Sequence, residues 1–185
     1  MDKTKIAKQF ISAIPHSRAL GMELTDISDG YARIEMPYSE SLVGDPETGV
    51  IHGGAVSALM DTCCGAAAMS HPSNPAGTAT IDLRIDYMRP ATPGQTIATE
   101  AHCYHITRSV AFVPATAPDE DKENPVATAT GALPVERRAW LPDVPHLGRL
   151  SHNALTPPCV RWLARSLISH LWAPTLALRR PRAHF

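Results

Sequence analysis

The chain has 185 residues, of which 44% are hydrophobic, and this length and composition suit one domain with a buried core. The formal net charge of −1 and the 5% aromatic content give no electrostatic or stacking case for binding nucleic acid. Residues 1–5 do not resemble a secretory leader, and the four cysteines form no clear disulfide or metal pattern. These features favour a reduced, cytoplasmic setting.

The first predicted elements are a short helix and two strands. Apolar residues at helical spacing predict a helix over residues 3–14, which Pro15 ends. Residues 22–36 are predicted to form two strands joined at Ser28-Asp29-Gly30, because the second half alternates between apolar and polar side chains. A loop rich in glycine and proline is expected over residues 42–50.

An apolar helix is predicted over residues 53–69, and it carries one carboxylate, Asp61, near its middle. Asp is a poor interior helix residue and is costly to desolvate among apolar side chains. The helix begins at Gly53-Gly54, directly after His52, where backbone N–H groups are free and the helix dipole is positive. A carboxylate and free donors on one helix suit acyl chemistry on a polarised carbonyl. The apolar residues occur nearly all round the helix, which predicts burial on every side.

The spacing of these groups makes a further prediction about assembly. Gly53 and Asp61 are eight residues apart, or about 12 Å along a helix at 1.5 Å per residue. They cannot both touch one carbonyl group from the same helix. If the two residues cooperate, one comes from a second copy of the chain, so we expect a homo-oligomer, either a dimer or a tetramer.

The second half of the chain is predicted to supply the rest of an antiparallel sheet. The clearest strand spans residues 78–88, with Ala79, Ile81, Leu83, Ile85 and Tyr87 on one face and Thr80, Asp82, Arg84 and Asp86 on the other. Further strands are predicted over residues 95–106, 110–117 and 126–135, with a charged hairpin loop over 118–125. Pro114 and Pro134 fall inside strands, where each removes a ladder donor, so we expect the last two strands to be distorted. One long helix with a run of strands predicts an α+β fold.

The composition changes after residue 137. Residues 139–185 contain no Lys, no Glu and one Asp, but many Arg and Pro. We predict a first domain over residues 1–138 and a poorly ordered extension over residues 139–185. The alternative is that residues 160–172 form a basic amphipathic helix that binds a partner or a membrane surface; this segment is too short and too charged to span a membrane.

Four motifs, in this order along the chain, carry a resemblance to a known family. They are Gly44-Asp45-Pro46, His52-Gly53-Gly54, residues 83–90 (LRIDYMRP) and residues 106–113 (ITRSVAFV). Together they resemble the hotdog-fold thioesterases, in particular the PaaI-like acyl-CoA thioesterases of phenylacetic acid degradation, and the resemblance runs from about Ile6 to Val135. It implies an antiparallel sheet around one long buried helix. It also implies hydrolysis of an acyl-CoA thioester to a free acid and CoA, without a metal or other cofactor.

The resemblance also implies roles for the helix residues. Asp61 is the expected nucleophile or general base, and a backbone N–H of Gly53 or Gly54, with Gly53 favoured, is the expected oxyanion donor. The glycines could instead serve only close packing. His52 could act as a base, although its place before the helix favours a residue that fixes the loop. Pro46 departs from the pattern, since some relatives place a polar residue there.

The resemblance points to a second set of residues for substrate binding. A hydroxyl near Thr80 is expected to place the substrate or water. Arg108 and Ser109 are expected near the CoA moiety, and Arg89 is a further candidate because arginine suits phosphate. Each of these could instead be an ordinary strand or surface residue.

Two other kinds of function stay open from the sequence. A non-catalytic acyl-CoA-binding module would have no need of a desolvated carboxylate at position 61, and a hydratase or dehydratase would need an Asp-His pair that the sequence does not show. The stretch His102-Cys103-Tyr104-His105 invites a zinc site, but only Cys103 and His105 share a strand face. No metal is predicted there. Cys63 is not expected to act as a nucleophile, because it lies in an apolar helix.

Overall fold

A computed structural model describes residues 11–73, 75 and 77–136, and the structural statements below concern these residues. Residues 11–13 are helical, which is the described end of the helix predicted over residues 3–14. The earlier part of that helix, the extension over residues 139–185 and the helix proposed over residues 160–172 lie outside the described residues. The domain boundary at residue 138 therefore stays a prediction.

Besides the helical residues 11–13, the described part of the chain contains two helices, a 3-10 turn and ten strands. In chain order they are α1 (Pro15–Ala19), β1 (Glu23–Ser28), β2 (Tyr31–Met36), a 3-10 turn (Glu40–Leu42), β3 (Val43–Asp45), β4 (Val50–Ile51), α2 (Gly53–Ser70), β5 (Gly77–Thr78), β6 (Asp82–Tyr87), β7 (Ile97–His102), β8 (His105–Ile106), β9 (Val110–Ala117) and β10 (Ala127–Glu136). The large sheet is antiparallel in the order β1-β2-β7-β9-β10-β5, with β6 also on β10 and β8 also on β9. None of the helices in the described ranges is long and apolar enough to cross a membrane.

Helix α2 packs against the sheet and forms the centre of the core. It contacts β2, β7 and β9, and its buried face consists of Ala55, Val56, Leu59, Met60, Cys63, Cys64, Ala67 and Ala68. The Cys63 thiol lies 3.3 Å from the Ala32 carbonyl oxygen and 3.2 Å from that of Thr99. The predicted helix over residues 53–69 is therefore present, and its length follows from the apolar pattern.

One face of α2 is not buried, so the expectation of burial on every side is wrong for the single chain. Gly54 and Asp61 are exposed, and Ser57, Ala58 and Gly65 are half-buried. These residues recur at three- and four-residue intervals, which places them on one stripe of the helix. Most of these side chains are small rather than polar, so the sequence does not show the polar stripe that is typical of a surface helix.

The strand predicted over residues 78–88 is interrupted. β5 pairs with the end of β10, β6 pairs with its first part, and residues 79–81 belong to neither strand. β6 has no second partner among the described strands, so its outer edge is unpaired. Apolar side chains are exposed at both ends of this edge: Ile81, just before β6, is 66% accessible, Tyr87 at its end 49%, and Met88, just after it, 64%.

Pro114 lies inside β9 without breaking it. β9 pairs with β10 in continuous register from Val110 to Ala117. The Phe112 carbonyl accepts a 3.3 Å hydrogen bond from the Tyr104 N–H on the β8 side, and the nitrogen of Pro114, two residues later, faces the same side. There the neighbouring strand is interrupted between β7 and β8, so no ladder bond is lost.

Pro134 is accommodated in the same way in β10. Its carbonyl accepts a 2.8 Å hydrogen bond from the Thr78 hydroxyl, so its nitrogen faces the β5 side of the strand. The break at residues 79–81 lies on that side. The expectation that the two prolines distort the last two strands is wrong, because each missing N–H faces a gap in the adjacent strand.

Candidate active site

The N-terminus of α2 is capped by His52. Its imidazole Nδ1 accepts a 2.9 Å hydrogen bond from the Gly54 N–H, and its backbone is extended at φ −63° and ψ 132°. A Cβ on Gly54 would lie 2.9 Å from Nδ1, and one on Gly44 would lie 2.8 Å from the His52 Cα. Both glycines therefore make room for the cap. These contacts support the interpretation of His52 as a residue that fixes the loop.

Gly53 offers the available donor at this helix end. In the described part of the chain no acceptor is found for the Gly53 N–H, whereas the Gly54 N–H is used by His52. An uncompensated N–H at the positive end of an 18-residue helix is suited to a developing oxyanion. Of the two glycines predicted as donors, only Gly53 has this geometry.

An open, mainly apolar groove of about 390 Å³ lies beside this donor. It is lined by Val50, Ile51, Gly53, Val56, Tyr87, Met88, Arg89, Pro90, Ala91 and Val126. We call it the apolar groove. The groove is open to solvent, and its lining places apolar side chains beside the Gly53 N–H.

Asp61 is held by Thr80. The Thr80 hydroxyl donates a 2.6 Å hydrogen bond to the Asp61 carboxylate, and both side chains are exposed. Thr80 lies in the break between β5 and β6, so the interruption of that strand places its hydroxyl on the helix. The sequence predicted both residues as site residues, and the structure brings them together. Thr80 contacts the carboxylate itself.

The cysteines beside Asp61 are unreactive thiols. Burial, and then the charge of Asp61, raises the pKa of Cys64 to about 12. Burial likewise raises the pKa of Cys63 far above its usual range. Since the thiolate is the reactive form of cysteine, neither thiol is suited to act as a nucleophile, as the sequence predicts for Cys63.

Within one chain, the carboxylate and the free donor do not meet. Thr80 holds Asp61 near the start of β6, whereas Tyr87, at the end of β6, contacts Gly53. The six residues of β6 extend for about 17 Å at roughly 3.3 Å per residue. The single chain therefore presents two separate half-sites.

The turn that carries Arg108 and Ser109 lies at the Asp61 end of the sheet. Both residues are exposed between β8 and β9. The Ser109 carbonyl accepts a 2.9 Å hydrogen bond from the Val135 N–H, and Val135 pairs with Thr78 of β5. The turn and the strand that leads into Thr80 therefore lie on opposite edges of β10, at the same end of the sheet.

Arg89 is held inside the chain. Its guanidinium donates hydrogen bonds of 2.8 and 2.6 Å to the Asp119 carboxylate and one of 2.8 Å to the Asn124 carbonyl. The Asp119 side chain is fully buried, and the Arg89 hydrogen bonds hold its pKa well below the usual range. These contacts tie the 118–125 loop to the sheet. They speak against the expectation that Arg89 binds a substrate phosphate, because the guanidinium is already paired.

Tyr87 and Ser57 are further candidate site residues, which the sequence did not single out. The Tyr87 hydroxyl donates a 2.6 Å hydrogen bond to the Gly53 carbonyl and lies 2.8 Å from the Ser57 hydroxyl. In the sequence, Tyr87 is one more apolar-face residue of a strand, 34 positions from Gly53. A hydroxyl at the end of an otherwise aliphatic face is the only signal that could have pointed to it.

Comparison with known proteins gives a family. Residues 48–125 match the family model of the thioesterase superfamily. A Halobacterium salinarum protein with a provisional esterase name is 44% identical over 75 residues, which are 39% of this chain and 50% of that protein. The medium/long-chain acyl-CoA thioesterase YigI of Escherichia coli is 28% identical over 109 residues, which are 52% of this chain and 70% of YigI. The chain thus spans half the length of the first relative.

Solved structures agree with this assignment. A Pseudomonas aeruginosa protein of known crystal structure is 37% identical in sequence to this chain and superposes with a TM-score of 0.64. The match covers 71% of this chain and 97% of the chain of that protein. The E. coli PaaI protein, from the phenylacetic acid degradation operon, is 20% identical and shares the fold, with a TM-score of 0.61 over 72% of this chain and 96% of PaaI. The chain belongs to the thioesterase superfamily and has the hotdog fold of its PaaI-like members.

Proposed function

We propose that this protein hydrolyses acyl-CoA thioesters to the free acid and CoA. The observation that carries the proposal is the exposed Asp61 carboxylate, which the Thr80 hydroxyl holds at 2.6 Å in the middle of an apolar helix. The expectation of a desolvated carboxylate at position 61 is wrong for the single chain, because Asp61 is exposed. What supports a catalytic use is that one hydroxyl holds the carboxylate in a fixed position while no cation in the described residues neutralises it. The family and the thioesterase name of YigI support the same reaction.

The chemistry follows from the two half-sites. The Gly53 N–H donates a hydrogen bond to the thioester oxygen and stabilises the negative charge that develops there. Asp61 then either attacks the carbonyl carbon, so that CoA thiolate leaves and water hydrolyses the resulting anhydride, or takes a proton from the water that attacks. In both routes the C–S bond breaks, one water molecule is consumed, and the CoA thiolate takes up the proton that this water releases, so that the products are the free acid and the CoA thiol.

Two copies of the chain are needed for one site in this proposal. The outer edge of β6 is unpaired in the described chain and is flanked by exposed Ile81, Tyr87 and Met88. Such an edge is a template for pairing with another strand. Antiparallel pairing of two β6 strands places the Asp61 end of one copy beside the Gly53 end of the other. We therefore propose a dimer with two equivalent sites, which a tetramer would also contain.

The substrate is proposed to lie across both copies. The acyl group occupies the apolar groove next to Gly53, and the phosphates of CoA approach the exposed Arg108-Ser109 turn at the Asp61 end. Arg89 is left out of this site because Asp119 holds it. The cytoplasmic location that the sequence predicts stays part of the proposal.

The test is release of CoA thiol from a panel of short, medium, long and aryl acyl-CoAs. We expect turnover of at least one class, and we expect Asp61→Asn to lower kcat by about 100-fold or more with an unchanged fold. An acyl-CoA-binding module would bind these compounds without releasing thiol. A hydratase would change the acyl group and leave the thioester intact.

A further inference from the structure

The peptide group between Gly53 and Gly54 is held from both sides. Its carbonyl oxygen accepts a 2.6 Å hydrogen bond from the Tyr87 hydroxyl, and its N–H donates a 2.9 Å bond to His52. Because the Tyr87 proton goes to this carbonyl, the Ser57 hydroxyl, 2.8 Å away, donates to the Tyr87 oxygen. Ser57, Tyr87 and Gly53 thus form a short chain of hydrogen bonds at the start of α2.

These hydrogen bonds restrict the backbone at the first turn of α2, which would otherwise have the greatest conformational freedom in the helix. Two consecutive glycines have the greatest backbone freedom of any pair, and the first turn of a helix has few intrahelical bonds. A planar peptide that is fixed at its carbonyl and at its N–H also fixes the position of the Gly53 Cα. The preceding peptide, which carries the Gly53 N–H, is held at its own carbonyl, the His52 oxygen, which accepts a 2.9 Å hydrogen bond from the Ala55 N–H. Both peptides that meet at the Gly53 Cα are therefore held, which limits rotation about the two Gly53 dihedral angles. A donor held in advance stabilises an oxyanion better than one that must reorient.

Stability alone does not explain the Tyr87 hydroxyl. The side chain is 49% exposed, where water competes for hydrogen bonds and the net gain from one such bond is small. It lies on an edge strand, and its ring lines the apolar groove next to Gly53.

We propose that Tyr87, supported by Ser57, is a positioning residue for the Gly53 N–H. This inference rests on the proposed thioesterase function. Tyr87 does not touch the reacting atoms in this account: its hydroxyl fixes the peptide that follows the donor.

Gly53 itself provides an independent way to disturb the contact. A Cβ at this position would lie 3.3 Å from the Tyr87 hydroxyl oxygen and 3.4 Å from Cζ. Gly53→Ala therefore displaces the tyrosine by a few tenths of an ångström but keeps the backbone N–H. Because alanine is a better helix former than glycine, this change does not weaken the helix.

The test compares Tyr87→Phe, Gly53→Ala and Ser57→Ala by thiol release, with Tyr104→Phe as the control for losing a hydroxyl from another exposed tyrosine. We expect kcat to fall about tenfold in Tyr87→Phe and Gly53→Ala and less in Ser57→Ala, with KM within about twofold. The double variant of Tyr87→Phe and Gly53→Ala should lose no more than the worse single variant, because both remove one contact. Melting temperatures should stay close to that of the wild type.

An unchanged kcat in Tyr87→Phe, a loss confined to KM, or multiplicative losses in the double variant would overturn the inference. A second readout separates it from the proposed reaction. Hydrogen exchange of the Gly54 amide should accelerate in Tyr87→Phe even if no acyl-CoA is hydrolysed, and unchanged exchange there would refute the positioning role. A wild-type protein without thiol release on any acyl-CoA would contradict the proposed function instead.

Discussion

The contact between Thr80 and Asp61 makes the sharpest single-residue prediction. Thr80→Val replaces the hydroxyl by a methyl group of similar size, so it removes the 2.6 Å hydrogen bond and little else. A hydrogen bond to a charged group contributes about 1.5–3 kcal/mol. Both side chains are exposed, so the lower end of that range applies, and about 1.4 kcal/mol corresponds to a tenfold change in rate. We therefore expect kcat/KM to fall about tenfold.

The measurement is steady-state thiol release on the best acyl-CoA of the panel. Thr80→Ser keeps a hydroxyl and should stay within about twofold of the wild type. Thr25→Val is the matched control, because Thr25 is an exposed threonine whose hydroxyl bonds to the Arg33 carbonyl at 3.3 Å in another part of the sheet. If Thr80→Val is as active as the wild type, or if Thr80→Ser is as impaired as Thr80→Val, Thr80 does not hold the reactive carboxylate.

Three further predictions concern the cap, the buried ion pair and the C-terminal extension. Gly44→Ala should lower both activity and melting temperature, because the added Cβ would lie 2.8 Å from the His52 backbone; unchanged activity and melting would show that the cap is dispensable. Asp119→Asn should cost about 2 kcal/mol at pH 7, or about 4–8 °C in thermal melting, whereas Lys122→Ala in the same loop should cost little. Because Arg89 lowers the pKa of Asp119, the stability that the ion pair contributes is complete above about pH 4 and is lost as the pH falls further. The difference in stability between the wild type and Asp119→Asn should therefore shrink in acid. A difference that stays constant with pH would contradict the assignment. Truncation after Ala139 should leave thioesterase activity within a few-fold, and limited proteolysis should cut beyond this point first; an inactive or precipitating core would show that the extension is structural.

Local patterns in the sequence were sufficient for most elements of the fold. Periodicity and the glycine pair predicted a helix over residues 53–69, and the structure has Gly53–Ser70. Strand 110–117 is present with the predicted bounds, and the hotdog fold is confirmed. The helix and the strand depend on residues close in sequence, whereas the hotdog fold is what the resemblance to the thioesterases implies. The break at residues 79–81 could not be predicted in this way, because it coincides with a hydrogen bond from Thr80 to a helix 19 positions earlier.

Hydropathy also failed to distinguish the core from the exposed surface of the single chain. The open face of α2 consists of small residues, and the edge of β6 carries Ile81 and Met88 although both are exposed in the single chain. Arg89 looked like a phosphate ligand because its partner Asp119 lies 30 residues away in a loop without a pattern. The Tyr87 hydroxyl was missed for the same reason: its acceptor is a backbone carbonyl, which no sequence pattern reveals.

The most direct test of a shared site mixes two inactive variants. Asp61→Asn removes the reactive carboxylate. Gly53→Pro removes the donor N–H at the first helical position, where proline is tolerated, and the extended His52 backbone suits a following proline. When the two variants are refolded together in equal amounts, half of the dimers contain one copy of each variant. Each of these mixed dimers has one intact site. We therefore predict that the mixture recovers about a quarter of the wild-type activity. Activity that stays at the sum of the two inactive parents would contradict a site built from Asp61 of one copy and Gly53 of the other.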